Sequence, residues 1–329
     1  MLTGVSGALA LPETNVRHDL DPVAAEFAAR VATIQTVSQA LLGVEREAPV
    51  ALGPRLPLAA LAQSVAWSLS WPVRFYWAHS SRQLGKKLVV DRVLKRALPD
   101  STFEATLAGG GKVVLSPRED IGLITLLHGT FEPAETECAR RYARTGTMAI
   151  DVGANIGMFT IPLARAVGES GRVLAIEPAA ENVERLESNL LLNRLCNVEV
   201  KPMAAAEKAG QLLLKLGADP AFHSTTAIVR GREGDGSVTV PADTLDNVWA
   251  AAGTPPVSFL KIDTEGGEIS VLRGAEKLLR TDRPAILVEA KGRRVRELDE
   301  LLVPLRYRRS RPAGFAVGNH LYTHVRPSS

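Results

Sequence analysis

From residue 148 onward, short apolar runs at 148–152, 172–177, 198–202, 257–263 and 285–289 alternate with stretches whose apolar positions recur at helical spacing. Runs this short, separated by amphipathic segments, read as strands buried on both faces. The pattern therefore predicts a mainly parallel sheet with helices on both sides. In the helix after the second run, Val183, Leu186 and Leu190 share one side, opposite Glu184, Arg185 and Glu187. Ile269, Leu272 and Leu279 play the same part in one helix after the fourth run. Pro162 falls inside the first helix, where it would remove a hydrogen bond at a cost of about 3 kcal/mol unless the helix kinks.

Upstream the pattern is less regular. Residues 103–115 alternate around Gly109, Gly110 and Gly111 and read as a β-hairpin, followed by a loop at 129–133 and a lead-in helix over 134–144. A further helix is expected over 23–42. Residues 58–79 are apolar and aromatic, with Trp67, Trp71, Phe75, Tyr76 and Trp77, but Gln63, Ser64, Ser68, Ser70 and Pro72 argue against a spanning helix. They read as a helix packed on the main domain or on a second copy in a homo-oligomer, with peripheral membrane contact as the alternative. Residues 217–237, rich in Gly, Asp and Ser and containing His223, read as a long loop over the sheet edge, of the kind that often forms a lid. The organisation is thus an accessory N-terminal helical segment at 1–100, a hairpin with a lead-in helix at 101–147, and the main domain at 148–329.

Composition excludes classes without choosing a partner. With 46% hydrophobic and 23% charged residues, the chain is neither disordered nor fibrous. Its two cysteines, Cys138 and Cys196, lack metal-ligand spacing and the density of a disulfide scaffold, which favours a reducing, cytoplasmic setting. The apolar stretch within residues 1–12 has no basic residue before it, against a secretory signal. A formal charge of +3 gives no clear phosphate track, so nucleic acid is disfavoured as a partner.

The candidate chemistry begins at residues 148–157, Met-Ala-Ile-Asp-Val-Gly-Ala-Asn-Ile-Gly, an apolar strand running into a carboxylate and a glycine turn that should open a helix. Gly153 and Gly157 allow a sharp turn and close approach of a ligand, and the start of the helix offers free N–H donors. The next strand ends in Glu177 and Pro178, where a carboxylate can accept hydrogen bonds from a ribose diol. This is a nucleotide-like cofactor site. Carboxylates two apart at the end of the fourth strand, Asp263 and Glu265, would have one pKa raised by burial and like-charge proximity, which suits a general base.

Three blocks, 150–157, 175–178 with Asn182, and 259–268 with 271–275, together resemble the FkbM family of S-adenosylmethionine-dependent methyltransferases. The resemblance runs from about 129 to 289 and takes in 197–200 and 202–207; Thr264, Gly267 and the pair Met158 and Phe159 depart from the family's usual residues. It implies the class I methyltransferase fold: an α/β, Rossmann-like, mainly parallel seven-stranded sheet with helices on both faces, here preceded by the N-terminal helical and hairpin extension. Its last strand is antiparallel to the rest, with 307–311 and 319–325 as closing strands.

The resemblance also implies a cofactor, S-adenosyl-L-methionine. Its contacts would come from Glu132, Asp151, Gly153, Ala154, Asn155, Gly157, Glu177, Pro178, Asn182, Ala205, Glu207 and Asp263, with Glu135 helping to close the pocket. Several have a plainer role beside that one. Asp151 could simply cap a helix, Asn155 could be an N-cap, and Glu207 a solvated loop charge. Asp263 and Glu265, with His223, are the catalytic candidates, and His128 is a further reserve base. No metal is assigned, since Mg²⁺ at Asp263 and Glu265 would need further oxygen ligands. The arginines of the C-terminal third read as a solvated face, with an anionic acceptor as the lesser alternative.

The expected reaction is O-methylation of a hydroxyl on a small molecule, sugar or glycan, or secondary metabolite. An RNA or other nucleic-acid methyltransferase shares the cofactor fold, but 263–266 replaces the Asn-Pro-Pro-Tyr expected of amino-methylating enzymes. An NAD-dependent oxidoreductase would carry Gly-x-Gly-x-x-Gly rather than the Gly-x-x-x-Gly found here.

Overall fold

The computed structural model describes residues 101–215, 227–228 and 237–325. The helix expected at 23–42, the aromatic stretch 58–79 and His223 lie outside the described residues. In chain order the elements are β1 (Phe103–Thr106), β2 (Lys112–Leu115), α1 (Asp120–His128), α2 (Pro133–Tyr142), β3 (Met148–Val152), α3 (Thr160–Val167), β4 (Arg172–Ile176), α4 (Ala180–Leu192), β5 (Val198–Lys201), β6 (Ala204–Ala205) and β7 (Gly210–Lys215). There follow β8 (Ala227–Ile228), β9 (Ser237–Asp243), α5 (Leu245–Ala251), β10 (Val257–Ile262), α6 (Glu268–Arg273), α7 (Glu276–Thr281), β11 (Ala285–Glu289), α8 (Arg293–Leu302), β12 (Tyr307–Ser310) and β13 (Asn319–His324). Among the described residues no helix is long and apolar enough to cross a membrane.

Seven strands form one sheet in the order β12-β13-β11-β10-β3-β4-β5. The pairs from β11 to β5 are parallel, and β13 alone runs antiparallel to both of its neighbours. This is the class I methyltransferase arrangement. The chain winds outward from β3 in both directions, so the crevice beyond the carboxyl ends of β3 and β10 is the switch point where such sheets bind ligands.

Strand alternation divides the core between two faces. Met148, Ile150 and Val152 pack with Leu245, Leu278, Leu298 and Leu302 of α5, α7 and α8. Ala149, Ala175 and Phe259 face the other way, onto Ile161, Leu163, Leu186 and Ala139 of α3, α4 and α2. The hairpin joins this second face through the fully buried Val113 and Leu115. Its outer edge is bonded by side chains of α4 and its C-cap. Asn193 accepts from the Lys112 amide at 2.7 Å and donates to the Lys112 carbonyl at 2.6 Å, and Asn189 accepts from the Val114 amide at 3.0 Å.

Four sequence expectations change. Residues 120–128, left unassigned between hairpin and loop, form α1. The single helix after β10 is two short ones, α6 and α7, which meet at Gly274, where a Cβ would stand 2.1 Å from the Ala206 carbonyl oxygen. The loop at 217–237 is flanked by strands, and β6, β9, β7 and β8 make a second, four-stranded sheet; residues 227–228, inside the expected loop, pair with β7. Pro162 is only the third residue of α3, where proline is tolerated. The amides on either side, Ile161 and Leu163, still reach the carbonyls of Gly157 and Phe159.

Candidate functional site

At the carboxyl ends of the strands the apolar pattern breaks on the α2 and α3 face. Asp151 of β3 and Lys261 of β10 are register partners across the sheet. The Lys261 ammonium lies 3.6 Å from Asp151 Oδ1, 3.5 Å from Asp263 Oδ2 and 3.5 Å from the Gly153 carbonyl oxygen, and 4.9 Å from the centre of the Phe159 ring. Burial works against this ammonium, but the charges of Asp263, Asp151 and Glu132 outweigh it and raise its pKa. Asp151 is wholly enclosed. Its Oδ2 accepts from the Thr160 hydroxyl at 2.6 Å, and burial raises its pKa against the pull of Lys261 and Thr160.

The glycine turn is held from both flanks. The amides of Gly153 and Ala154 donate to the Ile176 carbonyl at 2.9 and 3.1 Å. Gly153 and Gly157 take left-handed backbone, and a Cβ at 157 would meet Leu186 Cδ1 at 2.8 Å. Asn155 is left-handed too, and its amide donates to Glu177 Oε2 at 2.8 Å. Glu177 Oε1 accepts from the Ala179 amide at 3.0 Å and the Asn182 side chain at 3.3 Å. Burial pushes the Glu177 carboxyl up while these donors hold it down. Asn182 is buried and Pro178 half-buried beside it.

On the β10 side stands a second group of carboxylates. Glu132, half-buried at the N-terminus of α2 with a φ of 41°, accepts from Asn319 Nδ2 at 3.1 Å; the same amide donates to the buried Glu135 at 3.1 Å. Burial pushes Glu132 up to about 7, Lys261 opposes this, and Glu135 and Asp263 add to it. Asn319 is the register partner of Glu289. Carboxylate oxygens of Glu289, Asp263 and Glu265 all lie within 4.8 Å of one another. Glu265 stands at the exposed lip with a φ of 53°. Partial burial, then the charges of Asp263 and Glu289, bring it to about 7.

The structure thus gathers Asp151, Gly153, Ala154, Asn155, Gly157, Glu177, Pro178 and Asn182 around one turn, with Asp263, Glu265 and Glu132 on its β10 side. Ala205 lies in the core beneath. Glu207 is exposed, its amide bonded to Ser270 and its carboxylate 3.5 Å from Arg273; no hydrogen bond or ion pair among the described residues joins it to the turn. His128 is exposed at the end of α1. Lys261 was missed by the sequence reading. Its signal was a lysine inside a strand buried at every position, since such a charge needs partners.

These residues fit S-adenosylmethionine. Glu177 accepts three bonds, and a carboxylate has about four acceptor positions, so one is left for a ribose hydroxyl. The side-chain-free turn admits close approach, and the acidic β10 side suits a donor carrying positive charge. The carboxylates of Asp263, Glu265 and Glu289 could also ligate a divalent cation, although Lys291 already pairs with Glu289 at 2.5 Å.

The profile of the Methyltransferase FkbM domain matches residues 151–312. The methyltransferase FkbM of Methylobacillus flagellatus KT is 19% identical, with 62% of this chain and 52% of that one covered and a TM-score of 0.38. A SAM-dependent O-methyltransferase of Thermotoga maritima is 14% identical over 73% of this chain and 98% of its own, with a TM-score of 0.37. A 54-residue stretch, 16% of this chain, is 43% identical to the 23S rRNA (uracil(1939)-C(5))-methyltransferase RlmD of Acinetobacter baylyi. The chain spans about half of the Methylobacillus protein and 12% of the Acinetobacter one. Through the domain that starts at Asp151, the chain belongs to the FkbM family of S-adenosylmethionine-dependent methyltransferases.

Proposed function

We propose that this protein transfers the methyl group of S-adenosylmethionine to a hydroxyl oxygen of a sugar, glycan or secondary metabolite. The observation that carries the reading is the placing of Glu265, strained in its backbone and brought to about 7, beside Asp263 at the tip of β10, next to the glycine turn. A group that titrates near neutrality is suited to take a proton from a hydroxyl. The bound cofactor supplies a methyl carbon on a cationic sulfur, open to in-line attack. The chain's own residues align the partners: the turn and Glu177 fix the donor, and the β10 tip faces the acceptor. Such alignment can contribute about 7–11 kcal/mol. As the oxygen–carbon bond forms and the carbon–sulfur bond breaks, the hydroxyl proton passes to the Glu265 carboxylate.

A methylase of RNA uracil carbon, as the name of the Acinetobacter relative describes, is the competing reading. The geometry disfavours it. Methylation at that carbon calls for a nucleophile that activates the ring, and neither cysteine suits: burial pushes the Cys138 thiol up to about 11, and Cys196 lies beyond the other end of the sheet, beside Arg194 and Asn197. The acidic rim also opposes a phosphodiester backbone.

The test is mass spectrometry of a glycan and metabolite pool incubated with the protein and a deuterium-labelled methyl donor. Labelled O-methyl products that fall at least a hundredfold with Glu265→Gln support the reading. Label appearing only in added RNA, or only on nitrogen or carbon, overturns it.

A further inference from the structure

The arginines of the C-terminal third do not form a single solvated face. Arg293 on α8 is 84% exposed in its side chain and pairs with Glu297 of the same helix, and Arg309 pairs with Asp299. Arg294, the next residue of α8, reaches the β10 tip instead. Its Nη1 lies 3.5 Å from Oε2 of Glu268, a carboxylate buried at the start of α6. The other oxygen of Glu268 is already engaged, accepting from the Gly266 amide at 2.8 Å and the Thr264 hydroxyl at 3.3 Å. One buried acid thus holds both the arch that carries Glu265 and the guanidinium beside it.

The pose of that guanidinium is defined by the glycine in the arch. Gly266 has a φ of 124°, and a Cβ there would stand 3.4, 3.6 and 3.7 Å from Nη2, Cζ and Nη1 of Arg294. Three atoms of one plane at such similar distances place the group broadside to residue 266, directly after Glu265 in the chain. The Arg294 side chain is 49% exposed, and among the described residues its guanidinium makes this one polar contact with Glu268. Arginine carries five N–H donors in a rigid fork, so most of them are open at the rim.

Neither the helix nor the buried acid accounts for this placing. The first turn of α8 has no acidic residue and Gly292 gives it no side-chain cap, while a helix N-terminus disfavours a cation. A group serving only to neutralise Glu268 would be held closer, since charge-assisted bonds of this type run at about 2.7–2.9 Å.

We propose that Arg294 orients the methyl acceptor, its guanidinium donating to an oxygen on the carbon next to the one that bears the reacting hydroxyl. This rests on the reading of Glu265 as the base and adds the class of acceptor: a compound with oxygens on adjacent carbons, as in a sugar diol, a hydroxy ketone or a hydroxy acid. Consecutive α-carbons are about 3.8 Å apart, so a base on residue 265 and a donor over residue 266 can meet two such oxygens together. The proton of the reacting hydroxyl still passes to Glu265, and Arg294 stays protonated throughout.

The assay with the deuterium-labelled methyl donor tests this at two levels. Tandem mass spectrometry locates the labelled ethers formed by the parent protein, and the label is expected on an oxygen whose carbon adjoins another oxygen-bearing carbon. Serial dilution of the same glycan and metabolite pool then gives apparent KM and kcat for the parent, Arg294→Gln, Arg294→Lys and Arg293→Gln. Arg294→Gln should raise KM tenfold or more and change kcat less than threefold, because a contact made equally in bound substrate and transition state acts on KM. Arg294→Lys keeps the charge without the fork and should fall between that variant and the parent. Arg293→Gln removes the same charge from the same turn and should match the parent within twofold. S-adenosylhomocysteine affinity, by calorimetry, should change less than twofold in all three variants.

Label on isolated hydroxyls, with no oxygen on a neighbouring carbon, would overturn the proposal. So would an Arg294→Gln variant that behaves as Arg293→Gln does, or one whose S-adenosylhomocysteine affinity falls along with its activity, which would make Arg294 part of the scaffold. A parent protein that yields no labelled O-methyl product fails differently, by overturning the O-methyl transfer reading on which the proposal stands.

Discussion

The α-carbon of Gly153 is pressed against the carbonyl oxygen of Asp263: a Cβ built at 153 would stand 1.8 Å from it. The cofactor turn and the acidic tip of β10 are therefore one backbone unit, joined also by the Asp263 amide donating to the Val152 carbonyl at 3.0 Å. Gly129 offers a matched control, since its φ of 77° equals the 76° of Gly153 within a degree while nothing lies within 4 Å of its Cβ position. Gly129→Ala should cost only the left-handed penalty, about 1–2 kcal/mol. Gly153→Ala should add about 1–3 kcal/mol of overpacking and lower S-adenosylhomocysteine affinity. Urea unfolding of the two variants, with calorimetry, checks this; equal destabilisation would show that the contact does not set the spacing.

Removing the Lys261 charge should be the more damaging change. Lys261→Met leaves Asp151 fully enclosed with no cation, and breaking a buried pair on one side costs about 3–5 kcal/mol. Adding Asp151→Asn removes the stranded charge and keeps an acceptor for Thr160, so the double variant should recover part of the loss. Denaturant midpoints of the two singles and the double measure the coupling. A double variant no more stable than Lys261→Met alone would mean that the pair is not what holds β3 and β10 together at their tips.

The main sheet was legible because its parallel strands are buried on both faces: β3 and β10 are enclosed at every position and read as plain apolar runs. The second sheet was not legible. Its strands are short, β9 contains Pro241, and β7 is half-exposed, so no run announces them. The break between α6 and α7 was hidden; it falls at Gly274, which faces a carbonyl nearly seventy positions away, at Ala206. In the site, glycines and strand-end acids were visible as local motifs. The pairing of Lys261 with Asp151 was not, since it is a matter of register between strands far apart in the chain. The backbone strain at Glu132 leaves no mark in composition or period.

Two glutamates give stability a definite dependence on pH. Glu132 and Glu265 are each raised from 4.5 to about 7 in the folded protein. Between those values the unfolded chain has released protons that the folded chain still holds, so the unfolded state gains as pH rises. Their penalty is absent below about pH 4.5, grows through the interval and levels off above pH 7. Denaturant unfolding at pH 5 and pH 8 should show the lower stability at pH 8. Glu132→Gln and Glu265→Gln should each shrink the difference, and an undiminished slope in both would place the titrating groups elsewhere.

Asn189 ties the hairpin to the glycine turn by hydrogen bonds. Asn189 of α4 accepts from the Val114 amide at 3.0 Å and donates to the Ile156 carbonyl at 2.8 Å, linking β2 to the glycine turn. It is buried, so Asn189→Ala leaves both backbone groups without partners, at about 1–3 kcal/mol each. Asn193 makes comparable bonds to Lys112 in an exposed setting, where water can replace them. Asn193→Ala should therefore cost about 1 kcal/mol or less. The second effect separates scaffold from mere stability: Asn189→Ala frees the turn at Ile156, so S-adenosylhomocysteine affinity should fall severalfold, measured well below the unfolding midpoint, while Asn193→Ala leaves it unchanged. Hydrogen exchange at the amides of 153–157 gives the same comparison without ligand, and faster exchange in Asn189→Ala alone is the expected pattern.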